Sequence, residues 1–338
     1  MAENSARAAP AVDESARQGH GQAPSYATAH RRRPILVTGS PRSGTTWVGR
    51  MLAESPQLYY VFEPFNPGAG AGRDICDAPF ERFFTYISAD NESAYYPAIR
   101  AMVEGRYNWR RGVALGRPKG GLAKAWRQYR AFAEYRRNQV LPLIKDPIAL
   151  VSTEWMATRF DIDVVVMVRH PAAFVSSMKR MNWPFQPRRW ALSQPALMRD
   201  FLEPYRAELE ALDRTGGDII DQASLLWKVL AHVVAQYRER HPDWIYLRHE
   251  DISLEPVAGF ETLYGQLGLD FSEPIRCTIE NYSAASNPNQ AEGDAKTIQL
   301  NSRENISSWK KRLSLHEIDR IRFRVEGVCE AFYPDADW

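Results

Sequence analysis

Between Gly39 and Thr46 the chain reads GSPRSGTT, two glycines five positions apart closed by a pair of threonines. The preceding run Ile35–Thr38 is apolar and β-branched, as a short buried strand would be. After the loop, Trp47, Val48, Met51 and Leu52 recur at helical spacing. A strand, a glycine loop and a helix start together aim free backbone N–H groups and a positive helix end at a phosphate. The spacing is that of a P-loop with its lysine replaced by Thr45. In a nucleotide triphosphatase that lysine reaches the β- and γ-phosphates, and the next hydroxyl holds magnesium. Here the cation sits inside the loop, at Arg42. The pattern therefore reads as a phosphate cradle without triphosphatase chemistry; a ligand-free glycine turn is the bland alternative.

A second basic position follows the strongest strand signal in the chain, the run DVVVMV at Asp163–Val168. A triphosphatase ends such a strand in an aspartate that organises magnesium, whereas this one ends in Arg169. That guanidinium repels a metal ion and suits a second phosphate, so no metal site is expected. Ser177, eight residues on and two turns into the next helix, can add a directional hydroxyl to the same anion. Arg169 as a simple ion-pairing residue and Ser177 as a helix-surface hydroxyl remain open on this pattern alone.

The stretch Pro41–Trp47 resembles the 5′-phosphosulfate loop of the sulfotransferases that use 3′-phosphoadenosine-5′-phosphosulfate (PAPS), whose form P-[K/R]-[S/T]-G-[T/S]-[T/S]-[W/F] it matches at Pro41, Arg42, Ser43, Gly44, Thr45, Thr46 and Trp47. Arg169 and Ser177 fall on the two positions of that family's 3′-phosphate motif. The resemblance implies PAPS as donor co-substrate, Trp47 against adenine, and Arg303, ahead of Trp309-Lys310, as a further 3′-phosphate contact, although the glycines usual there are missing. Cytosolic members carry a catalytic histidine after the strand that ends in lysine, where this chain reads Lys145-Asp146-Pro147. Carbohydrate-modifying and several bacterial members use a glutamate after the second strand, and Glu63 in VFEPFNP matches it. Glu63 is thus the candidate base, Asp146 the alternative, with Arg42 and Lys145 stabilising charge as the sulfur–oxygen bond breaks. His170 and His249 lie beside the motifs and read as structural. Two rival readings stay open: an adenosine-bisphosphate-binding P-loop protein without catalysis, and an ATP-dependent phosphotransferase.

The elements that must position these residues alternate. Strands are expected at 35–38, 58–62, 140–144, 163–168 and 244–248, with helices between them. The order implies a three-layer α/β/α fold with a central parallel sheet, P-loop NTPase-like, and ligands at the carboxyl ends of the strands. Residues 1–30 read as a disordered tail and 31–338 as one catalytic domain. Within it, 66–138 is an irregular insertion, basic over 104–138, where ten Lys or Arg face two Glu and Tyr107, Trp109, Trp126 and Tyr129 are interleaved. That bias suits an anionic acceptor, whereas a solvated helical hairpin is the plain alternative. The Pro- and Trp-rich stretch 181–195 is expected as a lid loop. The acceptor is expected to carry a free hydroxyl on a carbohydrate or small alcohol.

Composition narrows the class. The 338 residues are 44% hydrophobic and 25% charged, and the net charge of +2 argues against nucleic acid as a partner. No apolar run approaches the roughly 20 residues that span a bilayer. MAENSARAAP has no apolar segment of the secretory kind, and three scattered cysteines make neither a disulfide framework nor a zinc site. A cytoplasmic location is the expectation.

Overall fold

A computed structural model describes residues 32–68, 75–106, 121–289 and 299–338. The expected tail, the GAGAGRD stretch beyond Gly68, Tyr107 and Trp109 lie outside the described residues. Arg32–Trp338 forms one compact unit.

Five parallel strands make the sheet: β1 (Ile35–Gly39), β2 (Leu58–Phe62), β3 (Leu141–Lys145), β4 (Asp163–Val168) and β5 (Ile245–Arg248). Their order is β2-β3-β1-β4-β5. Alternation along the strands separates two cores. Leu36, Ile144, Val164, Val166 and Val168 face one, and Ile35, Val37, Leu143, Val165 and Met167 face the other. A sheet buried on both faces reads as continuous apolar runs, which is why β4 stands out in the sequence. The registers shift by one residue or less from expectation: β3 gains Lys145 and β5 starts at Ile245.

Helix α1 (Thr45–Leu52) belongs to the second core. In the loop after β2, α2 (Tyr96–Val103) and the buried Phe80, Phe84 and Ile87 join the first core. Helix α3 (Gly121–Arg137) follows, then α4 (Thr153–Phe160) and α5 (Pro171–Met181) on either side of β4. Beyond them run α6 (Arg206–Thr215) and α7 (Ile219–Arg240), and after β5 come α8 (His249–Leu254), α9 (Pro256–Gln266) and α10 (Glu273–Ser283). Helix α11 (Ser302–Ser307) and α12 (Leu315–Val325) close the chain, the latter capped reciprocally by Ser314 and Glu317.

The expected lid at 181–195 is instead packed structure. Residues Arg188–Leu192 form a π-helical turn, and Trp190 is buried among Phe83, Phe84, Trp183 and Phe185, at ring-centroid distances of 5.3, 5.5, 6.2 and 5.5 Å. Its aromatic content, read as lid chemistry, is core content. Likewise a π-helical segment at Met198–Leu202 precedes α6.

Strand β1 is flanked by β3 on one side and β4 on the other, so the chain leaves it in opposite directions. Such a switch point opens a crevice outside the carboxyl ends of the strands. The residues that follow the strand ends are Ser40 after β1, Glu63 after β2, Arg169 after β4 and His249 after β5, while Lys145 is the last residue of β3. Every position singled out for chemistry before residue 171 lies at or just past that edge.

Candidate active site

The loop after β1 is built for close backbone approach. Gly44 is the N-cap of α1 at φ 94°, and no side chain caps the helix. Arg42 is also in the left-handed region, at φ 65°. Consecutive amides held in this way form an anion-binding concavity, and the first amides of a helix have no partner within it. Ser43 closes the turn by donating its hydroxyl to the Ser40 carbonyl.

The loop faces a cleft of about 690 Å³, its open mouth included, lined by Arg42, Gly44, Thr45, Thr46, Trp47, Arg169 and His249 from the strand ends. Ser253, Tyr282, Ser302 and Asn305 complete the far wall. Arg169 is almost fully buried, and burial pushes its guanidinium down to about 10, with Glu250 opposing. It donates from Nη1 to the Arg42 carbonyl at 2.9 Å, while its Nε has no partner among the described residues. Arg42 in turn donates from Nε to Ser177 Oγ at 3.0 Å. Thus Arg42, Arg169 and Ser177, far apart in the chain, form one chain of contacts, and the Ser177 hydroxyl keeps its proton to donate.

Behind them stands a polar layer. Glu250 is buried, accepts from the His170 amide at 3.1 Å and from Tyr333 Oη at 2.9 Å, and faces Arg169 electrostatically. Trp227 Nε1 donates to the Arg169 carbonyl at 2.8 Å and pins the strand end. His170 stacks on Trp309 at 5.0 Å, and burial drives it down to about 3, so it is a neutral packing residue.

The second cluster comprises Glu63 and Lys145. Lys145 is wholly buried and ion-paired to Glu63 Oε1 at 2.5 Å, with its ammonium 3.8 Å over the Phe62 ring. Burial pushes its ammonium below the ordinary lysine value, and the Glu63 charge resists that. Gly49 of α1 makes room for the lysine stem, because a Cβ there would come within 2.9 Å of Lys145 Cγ. Glu63 itself has φ 44°, donates its amide to the Lys145 carbonyl at 2.8 Å, and accepts from Asn66 Nδ2 at 3.1 Å. Both Glu63 and Arg42 thus hold a backbone conformation uncommon for residues with a side chain, as functional sites often do. The charge of Glu63 is felt at Arg42, which burial and Arg180 otherwise push down.

Asp146, the alternative base, is a structural cap. It is fully buried, its Oδ1 accepts from the Ile148 and Ala149 amides, and its Oδ2 accepts from the Phe65 amide. Burial pushes it up to about 7 against these hydrogen bonds, but both oxygens are committed to backbone.

Of the remaining positions, Pro41 is buried in the loop and Trp47 packs edge-on to Phe260 at 5.2 Å and His249 at 6.1 Å, with one edge lining the cleft. Arg303 lies elsewhere: it is exposed, pairs with Glu255 at 2.6 Å and donates to the Leu254 carbonyl at 2.9 Å. Its neighbours Ser302 and Asn305 line the cleft instead. A residue on α11 one position away points along a different face, and sequence spacing could not choose among them.

Sequence reasoning missed His249 as a cleft residue. It is buried and held neutral by desolvation and by Arg169, and its Nδ1 has no partner among the described residues. A Cβ on Gly44 would come within 2.6 Å of that nitrogen. The available signal was its place immediately after a parallel strand. Gly44→Ala is therefore expected to disrupt the cradle twice, through a strained φ costing about 1–3 kcal/mol and through this clash. Calorimetry should show nucleotide binding lost, and thermal melting should show a lower Tm. Wild-type affinity in this variant would show that the loop is not the cradle.

Residues 34–273 match the model of the sulfotransferase family, which spans most of the described fold. The chain belongs to the sulfotransferase family. This sulfotransferase is 23% identical to carbohydrate sulfotransferase 5 of Homo sapiens, over 87% of its own length and 75% of the relative's. It is 22% identical to carbohydrate sulfotransferase 3 of Mus musculus, over 88% and 67%. Among solved structures, the sulfotransferase domain from the curacin biosynthetic pathway aligns at 15% identity with a TM-score of 0.48, covering 87% of this chain and 98% of that one. Membership makes the protein a sulfuryl-transferring enzyme and sets aside both rival readings of the phosphate cradle.

Proposed function

We propose that this sulfotransferase moves a sulfuryl group from PAPS to a hydroxyl of a carbohydrate, with Glu63 as the base. The observation that carries the reading is the meeting of two clusters at one sheet edge: an anion cradle around Arg42 and Arg169, and a carboxylate–ammonium pair, Glu63–Lys145, whose charge reaches Arg42. The cleft suits a nucleotide with separate anionic groups. It offers uncapped helix amides, a glycine that a Cβ would block, and a buried guanidinium with an unpartnered Nε. Bound there, PAPS supplies a sulfuryl group on a good leaving phosphate. Arg169 and Ser177 would hold the 3′-phosphate, and Pro41–Trp47 the 5′ side. Glu63 takes the proton from the acceptor hydroxyl, and Arg42 and Lys145 stabilise charge on the oxygens around sulfur. Fixed donors of this kind act where charge develops, without reorganising. The carbohydrate acceptor is supported by the names of the relatives, by Glu63 after the second strand, and by Asp146-Pro147 after Lys145 in place of the histidine of the cytosolic members. Cys277 and Cys329 are free thiols, which suits a reducing compartment such as the cytoplasm.

The test is a panel of sugars, phenols and simple alcohols incubated with labelled PAPS, with and without magnesium chelator. Label on sugar hydroxyls, unaffected by the chelator, is the expected result. Label confined to phenols would reject the carbohydrate acceptor, and donor activity from ATP alone would reject PAPS.

A further inference from the structure

Helix α3 presents an outer face that neither the cleft nor the core uses. Its inner face is committed: Phe132 and Tyr135 pack on Tyr59 of β2, at 5.1 and 4.9 Å between ring centroids. About two turns and one turn before Phe132, Trp126 and Tyr129 stand exposed, at 61% and 41%, with nearly parallel rings 5.7 Å apart. Exposed large aromatics are uncommon among the described residues, and here two adjoin. Arg127 and Arg130 are exposed beside them and form no ion pair with a described carboxylate. Across α3 the sequence carries Lys124, Arg127, Arg130, Arg136 and Arg137 against the single acid Glu134.

The crossover sets which end of α3 lies toward the reaction edge. Arg137 ends α3 four residues before β3 begins, and Leu141 of β3 is in register with Leu58, the first residue of β2. The helix therefore runs back along the strands, with its N-terminal half toward their carboxyl ends. Trp126 precedes Phe132 by six residues, about 9 Å of helix. Phe62 follows Tyr59 by three, about 10 Å of strand. The aromatic pair thus lies toward the level of Phe62, the exposed ring over Lys145.

We propose that this face of α3 is a docking surface for an anionic polysaccharide, with sugar rings on the Trp126–Tyr129 platform and their carboxylates or sulfates on Arg127 and Arg130. The charge is complementary, and guanidinium forks match planar and tetrahedral oxyanions. A membrane-surface helix would need a continuous exposed apolar stripe, but the apolar face of α3 is occupied by Tyr59. The inference deepens the carbohydrate-acceptor reading and rests on it for the role of the polymer as acceptor.

Binding of chondroitin sulfate chains to the full-length protein, without donor, tests the surface. Neutral dextran and phosphatidylserine-containing vesicles serve as comparisons, and R127E/R130E and W126A/Y129A as variants. Each double variant is expected to bind the polymer at least about tenfold more weakly, equivalent to the loss of one good interaction. The wild-type affinity should fall with salt. Transfer to a short sugar acceptor should stay at the wild-type rate, since these side chains are exposed and lie outside the cleft. Full polymer affinity in both variants overturns the surface, as does vesicle binding without chondroitin sulfate binding. Absence of transfer to any sugar would instead remove the acceptor reading while the binding result stands.

Discussion

Glu63→Gln is expected to lower kcat by about 10²–10⁴-fold, the usual contribution of a positioned general base, with nucleotide affinity unchanged. Glutamine keeps an oxygen for the Lys145 ammonium and keeps the shape of the site, so the fold should survive; what it loses is the ability to take the acceptor proton. The pair is close, at 2.5 Å, and Lys145 is wholly buried. Glu63→Ala would confuse the result by removing the acceptor oxygen as well as the charge, leaving the buried ammonium with neither, a cost that falls on stability as well as on catalysis. Steady-state kinetics with labelled PAPS, with Tm measured in parallel, separates the two. An unchanged kcat in the glutamine variant would remove Glu63 as the base, and Asp146 could not replace it while its oxygens cap backbone amides.

Arg169→Met should weaken adenosine 3′,5′-bisphosphate by about 10²-fold, as expected for a charge-assisted pair worth about 1.5–3 kcal/mol. Its analogue without the 3′-phosphate should lose much less. Methionine replaces the buried stem and removes the charge. Some loss for both nucleotides is built into the structure, because Arg169 also holds the Arg42 carbonyl and thereby the loop. The difference between the two ligands isolates the 3′ group. Calorimetry without magnesium reads both affinities, and equal losses would mean that Arg169 supports the loop and does not read the 3′-phosphate.

Local features are legible in the sequence because chain neighbours alone set them. Gly39–Thr46 had to be a turn between strand and helix, and the β-branched run before Arg169 had to be a buried strand. The strand ends follow from those patterns, and so do Arg42, Glu63, Lys145 and Arg169 as edge residues. Composition misled where one residue type serves two ends: the tryptophans at 183 and 190 suit a lid and a core equally, and packing decided for the core.

Contacts between distant positions belonged to the tertiary structure. Arg42 meets Ser177 across 135 residues and Arg169 across 127, and Lys145 meets Glu63 across 82. Those meetings depend on the strand order β2-β3-β1-β4-β5, which local periodicity does not encode. The same order brought His249 against Gly44, turned Asp146 into a cap, and left Arg303 with Glu255 outside the cleft. Sequence alone determined a candidate phosphate cradle, a glycine loop carrying Arg42 between a strand and a helix. Only the packing of five strand ends onto one edge decided which side chains complete it, because a helix or strand sets the direction of its own residues and not the neighbours it will meet.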